Sequence, residues 1–78
     1  MMSKIIPVEE GDIVTFAVAE EDFNYLQETG LMTNRLDYHK EYEVFYVLGD
    51  GETCQLIDGD GELRFVYSGL LATLVRKS

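Results

Sequence analysis

Aspartate–glycine pairs divide the second half of the chain into short segments, and this spacing constrains the fold more than any other feature. Asp50-Gly51, followed by Asp58-Gly59 or Asp60-Gly61, separates runs of β-branched and aromatic residues, as tight β-hairpins do. The predicted strands are 42–48, 53–57, 63–67 and 72–75, with a tight turn at 70–71. A meander of short antiparallel strands is the structure that this pattern favours.

The first half of the chain predicts one further strand and one helix. Residues 13–18 alternate between two fairly apolar faces, which is typical of a strand. Residues 20–29 predict a short helix, because acids occupy the first turn and Phe23 and Leu26 are three positions apart. Gly30 then follows as a C-terminal cap, and residues 32–40, which are mixed polar, predict a loop.

These segments together predict a mainly β fold with five strands. Because closure removes the unpaired edges of a sheet, we expect the strands to curl into a small barrel. The 78 residues suffice for a single domain over 1–78, with its core at about 8–75, and are too few for a deep substrate cavity.

The turn and core positions also follow a pattern known from other small proteins. It comprises V-x-x-G-D-x-V-x-F at 8–16, L-x-x-x-G at 26–30, Y-x-V-x-x-V at 42–47, D-G-x-x-x-x-L-x-D-x-D-G-E at 50–62 and L-x-x-L-V at 71–75. In these positions the chain resembles small SH3-like barrel proteins, including short proteins of tailed phages. The resemblance implies a five-stranded SH3-like barrel whose long first loop carries the short helix, and it implies no functional residue. Phe45 and Tyr46 depart from the pattern, which is usually more polar there.

Net charge excludes several classes of partner. The chain has 15 acidic and 6 basic side chains, for a formal net charge of −9, and no basic residue falls between Glu41 and Leu63. Since nucleic acids and anionic membranes are bound through Lys and Arg, we expect neither as a partner. A larger, basic protein is the partner that this charge favours.

Cysteine content and hydropathy predict the compartment. The lone Cys54 cannot form an intramolecular disulfide, and the first residues hold no apolar run of the kind found in signal peptides. No stretch approaches the roughly 20 apolar residues of a membrane helix. We therefore expect a cytoplasmic protein, which would act in the host cytoplasm if a phage encodes it.

No group of side chains predicts catalysis, a metal site or a cofactor site. The segment D-G-D-G-E at 58–62 opens like a calcium loop but lacks the later ligands, so a tight turn is favoured over a weak cation site. Cys54 alternates with Leu56 in a strand, and His39 falls in the loop, so neither predicts a nucleophile or a zinc ligand. We predict a protein that is not an enzyme.

Aromatic side chains are more numerous than so small a barrel needs. Phe16, Tyr42 and Phe65 fit a barrel core, and Phe23 fits the packing of the helix onto that core. Tyrosine joins apolar area to a polar tip and is enriched at protein interfaces. Tyrosines and acids near the long loop predict a partner-binding surface, or else the tyrosines only cover the barrel end. The predicted surface comprises Glu20, Glu21, Asp22, Tyr25, Tyr38 and Tyr46.

The sequence therefore favours a small acidic protein-interaction module. On the resemblance to phage proteins, it would modulate a host protein in host takeover or counter-defence. Two other functions stay open: an acidic mimic of nucleic acid that inhibits a DNA- or RNA-binding protein, and a minor structural or assembly protein that forms a homo-oligomer. A mimic needs its acids on one face, whereas the turns at 50–52 and 58–62 leave opposite ends of one strand.

Overall fold

The computed structural model describes residues 8–76 and has a mainly β fold. The predicted strands and helix are confirmed, with ends that differ by one or two residues. The elements are β1 (Ile13–Phe16), α1 (Glu20–Glu28), β2 (Tyr42–Val47), β3 (Thr53–Ile57), β4 (Leu63–Tyr67), a 3-10 turn (Ser68–Leu70) and β5 (Leu71–Val75). Residues 1–7 and 77–78, which belong to the predicted domain, lie outside the described part of the chain.

The five strands form one antiparallel sheet in the order β4-β3-β2-β1-β5. Tight hairpins join β2 to β3 and β3 to β4, and the 3-10 turn then leads the chain across to β5 beside β1. Within residues 8–76 no ladder joins β4 to β5, so the sheet is open and the predicted closed barrel is not confirmed. Both β4 and β5 are therefore edge strands.

Glycines in the left-handed region permit both hairpin turns. Gly51 has φ 73° between β2 and β3, and Gly61 has φ 81° between β3 and β4. Gly59 does not adopt a positive φ, so Asp60-Gly61 marks the second reversal. The helix ends in a similar way, because Gly30 at φ 80° closes a Schellman motif. In that motif the Leu31 N–H donates to the Leu26 carbonyl at 2.9 Å.

The core lies on one face of the sheet, here called the inner face, beneath α1 and the loop 31–41. Phe23 of α1 packs edge-on against Phe16 of β1, with ring centroids 4.7 Å apart, and against Tyr38 of the loop at 5.2 Å. This aromatic contact anchors a helix too short to be stable alone. The other buried members of the core are Val8, Val14, Met32, Leu36, Tyr42, Val44, Cys54, Leu56 and Val66.

The prediction that Phe65 belongs to the core is wrong. Val66 pairs with Cys54 and both are buried, so the neighbouring Phe65 points to the opposite face, where 58% of its surface is exposed. In the sequence of β4, Leu63, Phe65 and Tyr67 share one side and Arg64 and Val66 the other, so the side with Phe65 is the more apolar. Arg64 nevertheless lies on the inner side, because Asp58 binds its guanidinium there at 2.7 Å.

Candidate functional site

Strand register assigns a second set of side chains to the outer face of the sheet. Cys54 and Leu56 of β3 are buried, so Thr53, Gln55 and Ile57 point outward between them. Their partners on β4 are Tyr67, Phe65 and Leu63, which consequently share the outer face. Within residues 8–76, α1 and the long loop cover the inner face and leave this outer face exposed.

A β-bulge in β2 adds two further aromatic rings to the outer face. Val44 pairs with Leu56, but the next pair joins Tyr46 to Gln55, which leaves Phe45 as the extra residue. Phe45 and Tyr46 are both exposed, whereas Val47 returns to the level of buried Cys54. The bulge thereby places two successive aromatic side chains on the outer face.

These residues form what we call the outer aromatic face. Tyr46, Gln55 and Phe65 stand in one row across β2, β3 and β4, since each is paired with the next. Adjacent strands are about 4.8 Å apart, so side chains in such a row are neighbours. The four rings and their exposed fractions are Phe45 (53%), Tyr46 (48%), Phe65 (58%) and Tyr67 (55%). Exposed clusters of this kind on a small protein mark sites of interaction.

Three exposed glutamates lie on the outer aromatic face or at the ends of the strands that form it. Glu43 is paired with Ile57 on β3, Glu62 directly precedes β4, and the backbone of Glu52 pairs with Ser68 at the far end of β4. All three glutamates are exposed. The basic residue within β4, Arg64, is directed to the inner side and bound to Asp58. Glu43 therefore lies on the same side of the sheet as the rings, and Glu62 and Glu52 lie near the two ends of β4, in the acidic 41–63 segment.

Asp58 is a structural carboxylate at the β3–β4 hairpin. One oxygen, Oδ1, accepts the backbone N–H groups of Asp60 (2.8 Å) and Glu62 (2.9 Å), and Oδ2 accepts Arg64 Nε at 2.7 Å. The Arg64 hydrogen bond, together with those two backbone bonds, holds the pKa of Asp58 below its ordinary value in spite of its burial. A carboxylate so engaged serves the turn, in agreement with the turn interpretation of D-G-D-G-E.

Asp12 is the second structural carboxylate, and it lies fully buried at the start of β1. Its Oδ2 accepts the Glu9 backbone N–H (2.9 Å), the Thr73 hydroxyl (3.1 Å) and Arg76 Nη2 (3.0 Å). Burial acts to raise the pKa of Asp12, but the hydrogen bonds from Arg76, Glu9 and Thr73 outweigh it and hold the pKa below its ordinary value. This cluster ties the chain before β1 to the chain after β5, and no local sequence signal pairs residues 64 positions apart.

The six residues of the predicted partner-binding surface do not share one surface. Glu20, Glu21 and Asp22 form the exposed first turn of α1, and Tyr25 is exposed on the same helix. Tyr38 is turned inward, because its hydroxyl donates to the Val18 carbonyl at 2.6 Å and its ring packs on Phe23. Tyr46 lies on the outer aromatic face, across the sheet from α1. Their role in binding a partner stays a prediction.

Cys54 and His39 have the most reactive side chains, and they differ in their exposure to solvent. Cys54 is fully buried, and burial raises the pKa of its thiol to about 11, so the thiolate nucleophile is disfavoured at neutral pH. His39 is exposed on the loop, with Nε2 3.5 Å from Glu20 Oε2. Within residues 8–76, no three side chains of His, Cys, Asp or Glu are grouped so as to hold a metal ion.

A shallow cleft of about 210 Å³ lies along the free edge of β4. Leu31, which follows α1, lines it together with Val66 of the inner face. Phe65 and Tyr67 line it from the outer aromatic face, and Thr53 completes it. The cleft therefore joins the outer aromatic face to the edge of the core.

Comparison with protein-family models, with curated proteins and with solved structures finds no match to this chain. The helices of the described residues are too short and too polar to cross a membrane.

Proposed function

We propose that this chain is a small protein-interaction module that binds a basic protein on its outer aromatic face. Phe45, Tyr46, Phe65 and Tyr67 carry the proposal, because four exposed rings across three adjacent strands offer apolar area that a partner would remove from water. Aromatic side chains are also the commonest anchors of protein interfaces. The proposed role is binding and not catalysis.

Charge selects the class of partner. The net charge of −9 and the glutamates around the face attract basic surfaces and repel nucleic acid. Lys and Arg side chains of the partner would meet both the carboxylates and the aromatic ring faces, with which cations interact favourably. Modulation of a host protein by a phage-encoded chain is the biological setting that the sequence resemblance suggests for such binding.

The proposal includes the SH3-like class of fold. The support comes from the order of the elements: a strand, a helical excursion, three strands joined by tight hairpins, a 3-10 turn and a last strand. The last strand crosses back to pair with the first, so the residues just before β1 and just after β5 meet beside Asp12. This arrangement leaves the outer side of β2, β3 and β4 available for a partner.

Affinity capture with matched variants tests the proposed face. The baits are the wild-type chain, a Phe45→Thr/Phe65→Thr variant, and a Tyr25→Ala variant that removes an exposed ring on α1 instead. Threonine suits strands, so the double variant should keep its fold, which circular dichroism and thermal unfolding would verify. We expect one stoichiometric, basic partner that is retained by wild type and Tyr25→Ala and lost by the double variant.

The other outcomes reject the face in distinct ways. Loss of the partner with Tyr25→Ala alone would move the site to α1, the surface predicted from sequence. Capture of many nucleic-acid-binding proteins by all three baits, released by moderate salt, would indicate a nucleic-acid mimic. A mass that rises with concentration, with no captured partner, would indicate a self-assembling structural protein.

A further inference from the structure

The hydrogen-bond pattern of β4 leaves the backbone N–H and C=O groups of every second residue facing away from the sheet. The Asp58 N–H donates to the Glu62 carbonyl and the Ser68 N–H to the Glu52 carbonyl, both at 2.9 Å. Antiparallel ladders alternate bonded and non-bonded pairs, so Arg64 and Val66 bond to β3, whereas Leu63, Phe65 and Tyr67 face outward. No hydrogen bond from residues 8–76 reaches the outward N–H groups of these three residues.

A strand placed at this edge would find side-chain sites on both of its faces. Side chains of an added strand alternate, so one set would extend the outer face beside Phe65 and Tyr67. The other set would point toward the inner side, where the cleft between Leu31 and Val66 lies. Leu31 is itself 59% exposed, so an aliphatic side chain in this cleft would cover apolar area on both walls.

Carboxylates stand at both ends of the β4 edge. Glu62 precedes the strand, and Glu52 lies opposite Ser68, which follows it. Strand residues rise about 3.4 Å each, so positions 62 and 68 are roughly 20 Å apart. A segment of about seven residues with a basic side chain at each end matches that separation. A second copy of this chain fits poorly, because antiparallel pairing of two β4 strands would bring the Glu62 of each copy toward the Glu52 of the other.

We infer that the partner of this module contributes an extended segment that pairs with the free edge of β4. The segment carries aliphatic residues that enter the cleft beside Leu31 and Val66, and a Lys or Arg at each end that meets Glu62 and Glu52. This inference rests on the proposed function and specifies how the partner is recognised: through backbone hydrogen bonds to Phe65 and Tyr67, with side chains that select the sequence.

The backbone at Tyr67 allows a sharp test. Its φ of −76° and ψ of 127° are angles that proline adopts, and the preceding Val66 is in the extended conformation that proline requires. Tyr67→Pro therefore removes an outward N–H without removing a bond of the sheet. Tyr67→Val is the matched control, because it loses the same ring and keeps the N–H.

The probe is a capped peptide, Lys-Thr-Ile-Thr-Val-Thr-Lys, titrated into the isotope-labelled chain and followed by amide NMR shifts. Its alternation places Lys, Ile and Val on one side and Thr on the other, so lysines opposite positions 62 and 68 leave Ile and Val opposite Arg64 and Val66. The comparison peptide replaces both lysines by glutamate. We expect shifts and slowed hydrogen exchange at the Phe65 and Tyr67 amides, and affinity at least about tenfold weaker for the glutamate peptide. Tyr67→Pro should bind the lysine peptide at least about tenfold more weakly than Tyr67→Val, which has lost the same ring and kept the N–H.

Three results would overturn the inference. The first is no binding of the lysine peptide at about 1 mM, where even weak strand pairing is detectable. The second is equal binding by Tyr67→Pro and Tyr67→Val, or shifts confined to Phe45 and Tyr46, which would mean that the face binds without strand pairing. The third is a β4–β4 dimer of the chain that excludes the peptide. If partner capture still depends on Phe45 and Phe65, the proposed function stands while this binding mode fails.

Discussion

The buried carboxylate of Asp12 should be a major determinant of stability, and Asp12→Asn tests this with minimal change of shape. Asparagine keeps one acceptor oxygen for the Glu9 N–H and the Thr73 hydroxyl, but it places an NH₂ group against the Arg76 guanidinium. The variant loses charge-assisted hydrogen bonds from Arg76, one of which is worth about 1.5–3 kcal/mol. Because the Arg76 side chain is about one-third exposed and can be hydrated again, we expect a total loss of about 2–3 kcal/mol.

That loss is large for a chain of this length. A domain of this size has a free energy of unfolding of roughly 4–12 kcal/mol, so the variant should unfold about 8–24 °C lower. Urea and thermal unfolding followed by circular dichroism measure both quantities. Asp60→Asn is the matched control, because it makes the same change of charge on an exposed side chain. Its unfolding free energy should stay within about 0.5 kcal/mol of wild type.

The pH dependence of stability is a second test of the Asp12–Arg76 contact. The pKa of Asp12 is lower in the folded chain than its ordinary value of 3.8, so its stabilisation is complete above pH 3.8. It is lost as the pH falls through the lower, folded-state pKa. The stability gap between wild type and Asp12→Asn should therefore be constant near neutrality and narrow below pH 3.8. A gap equal to that of Asp60→Asn, or one that persists unchanged in acid, would show that the Arg76 contact is not the source of the stability.

Three further predictions concern the helix, the loop and the core. Gly30→Ala should lower the free energy of unfolding in urea by about 1 kcal/mol, because Gly30 has φ 80° although an added Cβ would meet open space. Gly59→Ala is the control, since Gly59 is equally open and has no positive φ, and it should cost less than about 0.5 kcal/mol. Equal costs for the two variants would contradict the role of the backbone angle. Tyr38→Phe should cost about 1 kcal/mol through the lost hydrogen bond to the Val18 carbonyl, and a neutral result would mean that water replaces it. Cys54 should react with a disulfide reagent at pH 8 only at the rate at which the protein unfolds around it, because its thiol is buried and has a pKa of about 11. Labelling at the rate of an exposed thiol would contradict this burial.

Local sequence signals predicted most of the secondary structure. The Asp-Gly turns and the β-branched runs placed every strand, and Gly30 placed the end of the helix, because these features depend on backbone preferences of a few adjacent residues. Closure of the sheet into a barrel could not be predicted from such local signals. Whether β4 and β5 meet depends on the curvature accumulated over five strands, which no short segment encodes.

The candidate site was harder to predict, since it depends on which way each strand faces. The bulge at Phe45 reverses the alternation within β2, and bonding of Arg64 to Asp58 assigns the more apolar side of β4 to the outside. Tyr38 was predicted either to bind a partner or to cover the end of the barrel, and it packs against Phe23 because its hydroxyl donates to a carbonyl 20 positions earlier. In each case a bulge or a specific side-chain hydrogen bond decides the orientation of a side chain, and sequence periodicity carries no information about either.

The Asp12–Arg76 and Asp58–Arg64 contacts also explain how so acidic a chain keeps these two buried carboxylates compensated by positive charge. Asp12 and Asp58 are the buried carboxylates among residues 8–76, and each is bound by an arginine from one edge of the sheet or next to it. Those arginines are consequently bound to buried aspartates, whereas Glu43, Glu52 and Glu62 stay exposed to solvent. The fold and the proposed recognition of a partner thus involve different carboxylates. Neutralising the three glutamates should leave stability nearly unchanged while slowing association with a basic partner, whereas removing rings from the face should act on dissociation.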